Sequence, residues 1–294
     1  MKRDNDLSIR EKVVDLIRNK STSLPTLPVV INNIIITAKN DKTTAADLAG
    51  FIANDQTLSA RILKIANSVY YGQPKEIDSI TRAIIVIGFK EIVSIALGSE
   101  IFKTFSTKNS YNMIDMNELW KHSIAVGFAF RHLEKKTRMS FTESAMLSGL
   151  LHDIGKIIFI LYFPKDYEAV LEEQRRADDV PLDVMERKML GIDHSEMAYL
   201  LMKQWNFPAN INLPIRFHHN LSECPFEHLN MATMINIADY LCHRCGIGFS
   251  GNLVIERHDS AITGLGLSIE SIDTIVHELE EDRPQVDGFL EAMA

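Results

Sequence analysis

The chain has 294 residues, 46% of them apolar and 24% charged, with a formal net charge of −8 at pH 7. That is enough apolar material for one large core or two modest ones, and the acidic balance argues against a sequence-independent nucleic-acid binder, which carries a basic surplus. Three cysteines cannot form a disulfide framework; residues 1–6 are polar with no secretory apolar region after them, and no uncharged apolar run reaches the roughly 18 residues of a membrane span, so a cytoplasmic protein with no membrane role is expected.

Helical periodicity dominates and strand-like alternation is scarce, so the expected fold is all-α. Residues 7–20 read as an amphipathic helix with Ile9, Val13, Leu16 and Ile17 on one face. Leu24-Pro25-Thr26-Leu27-Pro28 breaks it and opens a helix over 29–39, because proline is tolerated in a first turn. Thr44 caps a helix through Ala53, and Asp55 caps the next, running to Ser68. A turn at 70–74 precedes a helix opened by Ser79 and ending near Gly88, then another over 90–105. Polar residues 106–111 mark a boundary. Helical patterns follow at 117–136, 142–152, 165–177, 181–190, 194–205, 208–217 and 227–245. Beyond a glycine-bounded turn at 246–251, residues 256–281 read as partly helical with a loop at 260–266, and the tail after Asp282 is expected to fray. The expected organisation is an N-terminal helix at 1–22, a helical subdomain at 23–110, a second at 111–250 and an extension at 251–294 whose default role is packing or dimerisation.

The chemistry concentrates in the second subdomain. In Leu150-Leu151-His152-Asp153-Ile154-Gly155-Lys156, an adjacent His and Asp end an apolar helix, an odd choice for a core because Asp is a poor helix-interior residue. Ala145, Ser148 and Gly149 share the face of His152, and small residues there let another helix approach closely. His122 has Ala125, Val126 and Ala129 as helical neighbours and faces inward. His194 opens a helix whose same face carries Met197, Ala198, Leu201 and Trp205; His218 and His219 follow an apolar run; Asp239 sits in an apolar helix. His132, His228, His243, His258 and His277 have unremarkable surroundings. Any one inward histidine is ordinarily a hydrogen-bonded core residue. Four inward histidines with two aspartates and a His-Asp pair need many buried partners at once, and a metal provides them together. Imidazole and carboxylate suit zinc, iron, manganese and nickel, and an aspartate can bridge two ions through its two oxygens. Cys242-His243-Arg244-Cys245 has CxxC spacing but lies in an apolar helical run with no second cysteine pair, so a buried structural pair is expected.

The order His122, His152-Asp153, Asp239 resembles the signature of the HD superfamily, an all-helical group of metal-dependent phosphohydrolases and relatives, and Ile154-Gly155-Lys156 continues its HDxxK form. His194 and His218-His219 resemble the extra ligands of its binuclear members. The nearest resemblance is to the HDOD (HD-related output domain) family of bacterial signalling modules. It covers roughly residues 23–245, through Leu24–Pro28, the stretch Asp55-Gln56-Thr57-Leu58 to Asn67-Ser68, Ile80-Thr81-Arg82-Ala83-Ile84 with Gly88, Ser148 to Asp153, and Trp205-Asn206-Phe207-Pro208. Gln56 departs from the family's usual proline. His218-His219 is followed by Asn220 to Pro225 without the Gly-Tyr-Pro loop of the sibling HD-GYP family, so cyclic dinucleotide hydrolysis is poorly supported.

The resemblance implies first a regulatory module that relays a signal to a partner protein in trans, with the N-terminal helices as the partner surface and one or two divalent transition metals as a structural or sensory element. It implies second a metal-dependent phosphohydrolase acting on a phosphorylated small molecule. There His122, His152, Asp153 and Asp239 would hold one metal, and Asp153 would bridge to another held by His194, His218 and His219. Lys156 would neutralise substrate or leaving group, with an exposed helix-end lysine as its bland alternative; Arg216 and Arg82 are weaker phosphate candidates. A di-iron oxidative enzyme is a minor third reading.

Overall fold

The computed structural model describes residues 8–18, 29–38, 43–68, 71–72, 74–106, 113–139, 141, 145–177, 179–254 and 258–294. The proline-bearing segment 24–28, parts of the turn at 70–74, the polar boundary at 107–111 and the expected helix start at 142–144 lie outside the described residues, as do Leu7, residues 19–20, Lys39 and residues 256–257. Regular structure among the described residues is helical throughout, with no strand.

The N-terminal part comprises α1 (Ile9–Arg18), α2 (Val29–Ala38), α3 (Ala45–Ala53), α4 (Gln56–Ala66), α5 (Ile80–Ile87) and α6 (Phe89–Ser106). Local chemistry sets their ends. The Thr44 side chain accepts from the Asp47 amide while Asp47 reaches back to the Thr44 amide, a reciprocal cap contributing about 1 kcal/mol. Asp55 caps α4 through the Leu58 amide at 3.0 Å, and Ser79 caps α5 through Arg82. These helices bury Leu48, Ile52, Leu58, Ile62, Ile65, Ala83 and Ile101 against one another.

The remainder comprises α7 (Met116–Thr137), α8 (Ala145–His152), α9 (Ile154–Tyr162), α10 (Pro164–Arg176), α11 (Leu182–Leu190), α12 (His194–Gln204), α13 (Ala209–Phe217), a short 3-10 turn (Leu221–Glu223), α14 (Phe226–Cys245), α15 (Asp259–Gly264), α16 (Ile269–Glu281) and α17 (Arg283–Met293). Helix α7 is the hub, packed against α8, α14, α16 and α17, while α12 packs against α9 and α13. Helix α6 joins the two parts by packing on α8, and α1 lies on α12, where Arg10 meets Glu196 at 3.2 Å.

Two glycines set these approaches. A Cβ on Gly149 would fall 2.2 Å from the Gly127 nitrogen on α7, and one on Gly155 would fall 1.9 Å from the His194 carbonyl oxygen on α12. Both obstacles are backbone, so neither position accepts a side chain without a shift.

Three expectations are corrected. Helix α9 had no place in the periodicity reading, because Ile154, Ile157, Ile158, Phe159 and Ile160 are buried all round and leave no amphipathic stripe. Residues 260–266, expected as loop, are mostly α15. The tail after Asp282 does not fray: Pro284 sits in the first turn of α17, and Val286, Phe289 and Met293 lie buried where α17 packs on α7, α4 and α6. No single helix among the described residues is long and apolar enough to cross a membrane.

Candidate metal centre

The break between α8 and α9 builds the centre of the site. Helix α8 stops at His152, α9 begins at Ile154, and Asp153 stands between them with no side-chain capping bond. Its carboxylate is therefore available to groups on other helices. Helix α7 supplies His122, α12 supplies His194 at its first turn, the end of α13 supplies His218 and His219, and α14 supplies Asp239. All seven metal-ligand candidates singled out in the sequence converge here. Ligand atoms of His122, His152 and Asp153 lie within 4.8 Å of one another, as do those of His152, His218 and Asp239, and those of His194, His218 and His219. Six of the seven side chains are buried, and His219 reaches toward the surface.

The hydrogen bonds fix which ring nitrogen faces inward. His152 Nδ1 donates to the Gly149 carbonyl at 2.7 Å and His218 Nδ1 to the Ile215 carbonyl at 2.7 Å. A carbonyl only accepts, so each Nδ1 carries hydrogen and, in the neutral ring, each Nε2 presents a lone pair. His194 Nδ1 donates to Glu186 Oε2 at 2.6 Å, turning its Nε2 toward Asp153 Oδ1 at 3.3 Å and His219 Nε2 at 3.1 Å. His122 Nε2 meets Asp239 Oδ1 at 2.8 Å.

Three atoms at the centre are buried without a hydrogen-bond partner: His152 Nε2, His218 Nε2 and Asp153 Oδ1. Each such orphan costs about 1–3 kcal/mol. His152 Nε2 has Asp153 Oδ2 at 3.4 Å and Asp153 Oδ1 has His194 Nε2 at 3.3 Å, contacts too long to replace a hydrogen bond, so the three in one buried cluster call for a further partner. All three are acceptors or lone-pair donors, which a cation satisfies and an apolar filler does not. The donor set of imidazole nitrogens and carboxylate oxygens, with Nδ1 atoms anchored by second partners, fits a divalent transition metal.

Charges in the cluster are coupled. Burial alone would raise Asp153 and Asp239, but the histidines beside both, and Lys156 beside Asp153, hold them well below the usual carboxylate range. Burial and the neighbouring imidazoles push His218 down to about 3, and His219 falls well below its usual value for the same reasons. Both therefore present neutral rings. Burial would also lower His152 and His194, yet Asp153 beside the first and Glu186 beside the second outweigh it, so both are raised.

Lys156 departs from its bland alternative. It is fully buried, not an exposed helix-end lysine, and its Nζ donates to Asp153 Oδ2 at 2.7 Å. Arg216 pairs with Glu196 at 3.1 Å and lies 3.8 Å from Asp193, while Arg82 is exposed on α5. Neither belongs to the cluster. The sequence reading missed Glu186, which stands in the charged run Asp183-Val184-Met185-Glu186-Arg187-Lys188 and resembles an exposed helix face. It is fully buried, and beside the His194 ring it accepts from the His194 amide at 2.7 Å and the Tyr167 hydroxyl at 2.9 Å. Burial and Glu186 push the Tyr167 phenol well up, so it remains a donor. A cleft of about 110 Å³ adjoins His219, with Asp183, Arg187, Asn236 and Asn252 in its wall. Arg187 is bonded to Asp183 and meets Asp193 at 2.9 Å. Cys242 and Cys245 are free, buried thiols that burial pushes up, which suits packing and not redox exchange.

The all-helical fold and the buried His-Asp cluster agree with the HD-type resemblance of the sequence. Residues 24–221 match the HDOD domain, and the chain belongs to the HDOD family. It is similar to the crystal structure of an HDOD domain protein of unknown function from Geobacter sulfurreducens, at 24% identity and TM-score 0.75 over 97% of this chain and 99% of that one. A protein from Marinobacter aquaeolei VT8, provisionally named for signal transduction, matches at 21% identity and TM-score 0.74, over 97% of this chain and 65% of that one. A protein from Shewanella amazonensis SB2B, provisionally named a metal-dependent phosphohydrolase, matches at 19% identity and TM-score 0.63, over 97% and 99%. At these identities the likeness is one of fold. Among curated proteins, an uncharacterized protein of Treponema pallidum is 24% identical over 229 residues, 78% of this chain and 44% of that protein, so the chain spans less than half of that relative's length.

Proposed function

We propose that this protein is a metal-binding signalling module whose buried His/Asp cluster takes up one or two divalent transition metals as a structural or sensory element. The observation that carries this reading is closure. Six of the seven candidate ligands are buried, and the one that reaches outward meets a cleft of about 110 Å³. Pockets for small-molecule ligands run to about 300–1,000 Å³, and closed sites are the structural type whereas catalytic ones keep an open position. Asp153 Oδ2 is already held by Lys156, and Arg187 in the cleft wall is held by carboxylates, so neither cation is free for a phosphate.

Signalling requires a partner surface, and the N-terminal helices offer one. Ile36 on α2, Phe51 on α3, and Ile85 and Val86 on α5 are exposed on helices that pack together through α3. Exposed apolar side chains on neighbouring helices suit a protein partner in trans. The fold-level likeness to a protein provisionally named for signal transduction agrees with this reading.

Hydrolysis of a phosphorylated small molecule is the second reading, favoured by the approach of the cleft to His219. A metal there would supply Lewis acidity for phosphoester cleavage. His194, His218 and His219 would hold it on one side of Asp153, with His122, His152 and Asp239 on the other, and Lys156 would fix the Asp153 carboxylate. The test is elemental mass spectrometry on tag-free protein, with a phosphoester screen run on the same preparation. The proposal expects metal in the wild type, none in Asp153→Ala, and no turnover. Metal-dependent turnover that drops in Lys156→Ala at unchanged metal content would overturn it in favour of hydrolysis.

A further inference from the structure

The ligand histidines are not anchored alike. His152 and His218 give Nδ1–H to backbone carbonyls, whereas His194 gives it to a carboxylate, Glu186. The two halves of the cluster also differ in charge. The half made by His122, His152, Asp153 and Asp239 carries carboxylates of its own, while His194, His218 and His219 are all imidazoles. A dication among these three rings would find no carboxylate in its own set, and would draw on Asp153, 3.3 Å from His194, and on Asp239, grouped with His218, both of which also belong to the other half.

We infer that Glu186 is the positioning residue and charge partner of the three-histidine half, setting its metal affinity through His194 without touching the metal; this rests on the metal-binding reading above. The geometry is specific. Oε2 accepts both the His194 amide at 2.7 Å and the His194 ring at 2.6 Å, so one oxygen ties the first turn of α12 and the ring orientation together. Oε1 accepts the Tyr167 hydroxyl at 2.9 Å, which holds the carboxylate plane. Two oxygens facing three donors make Glu186 an acceptor throughout. A carboxylate on Nδ1–H raises the donor strength of Nε2 and brings a negative charge within one ring of the ion. The approach of α9 to α12 at Gly155 fixes where that ring sits.

A plain helix-capping role for Glu186 makes a different forecast, because it would alter folding stability but leave the ion alone. The experiment is a chelator-competition titration of purified protein with zinc, measured for wild type, Glu186→Gln, His219→Ala and the double variant, with urea denaturation of each metal-free protein alongside. Gln keeps the shape and an acceptor for Nδ1–H but removes the charge. The expected result is a rise of about 10–100-fold in one zinc dissociation constant in Glu186→Gln. The other constant should hold, and the effect should vanish in the His219→Ala background, as a shared site requires. Unchanged constants with lowered urea stability would overturn the inference in favour of capping. An equal rise in both constants would overturn it too. If Glu186→Gln fails to fold, Glu186→Asp keeps the charge but withdraws it by one methylene; it should weaken the same constant, and no change there overturns the inference. A wild type that takes up no zinc, iron or manganese would instead sink the metal-binding reading itself.

Discussion

Among the described residues up to 106, Glu100 is the one His, Lys or carboxylate side chain that is buried, whereas between residues 113 and 254 there are ten. The N-terminal helices are built mostly as an ordinary core is, with apolar faces inward and capping side chains at helix starts; their orphaned charged atoms, Arg61 Nη1 and Glu100 Oε1, are opposite in sign and lie 3.7 Å apart. The second region places charge where charge is expensive, since burying an ion costs several kcal/mol unless it is paired and hydrogen-bonded. It then leaves His152 Nε2, His218 Nε2 and Asp153 Oδ1 without hydrogen bonds. A region selected for stability alone would fill that space with Leu and Ile, as α9 does one turn away. The contrast separates a region whose buried side chains serve the fold from a region whose buried side chains form a candidate metal site.

The contrast breaks most visibly at Asp153. Replacing it with Ala removes the group shared by both halves of the cluster and strands Lys156, which is fully buried with Asp153 as its ion-pair partner. Metal content should fall to none, and urea denaturation of the metal-free protein should show a loss of about 3–5 kcal/mol. Adding Lys156→Met should recover much of the stability and none of the metal. Next in size is Gly155→Ala, whose Cβ meets the His194 carbonyl. It should cost roughly 1–3 kcal/mol in the same assay and weaken metal uptake through His194.

Acid sharpens the contrast without mutation. Burial works against the charged forms of His152 and His194, but Asp153 and Glu186 outweigh it and hold both above the ordinary histidine value. Protons and a cation therefore compete for the same Nε2 atoms. Metal affinity should fall as pH is lowered through neutrality and recover above it, and calorimetry in buffers of different ionisation enthalpy should show protons released on binding. The smallest effect belongs to the other region. Thr44→Ala, which removes the reciprocal cap of α3, should lower stability by about 1 kcal/mol and leave metal content unchanged. A change in metal content there would mean that the two regions are energetically one.

Much of this was legible beforehand, for identifiable reasons. Helices with one apolar stripe and a capping residue, such as α3 behind Thr44 and α4 behind Asp55, announce themselves. Helix α9 did not, because a helix buried on every side has no stripe to read. Helix α17 hid behind Asp282 and Pro284, which read as an ending when proline in fact opens the helix. The candidate ligands stood out as polar groups in apolar settings. Their anchors did not: Glu186 sits among exposed charges in sequence, and only the packing of α11 against α12 turns it onto His194. Lys156 stood out in sequence, with a substrate role and an exposed helix-end place as its two readings; its burial on Asp153 is what packing adds. Sequence names the unusual residue, and tertiary packing decides which ordinary residue serves it.

The most direct test is anomalous X-ray scattering at the metal edge from crystals of tag-free protein grown with zinc or manganese. The account predicts one peak among His122, His152, Asp153 and Asp239, or that peak with a second among His194, His218 and His219. Crystals that diffract well and show no peak inside the cluster, after loading with each of these metals and with iron under anaerobic conditions, would contradict it.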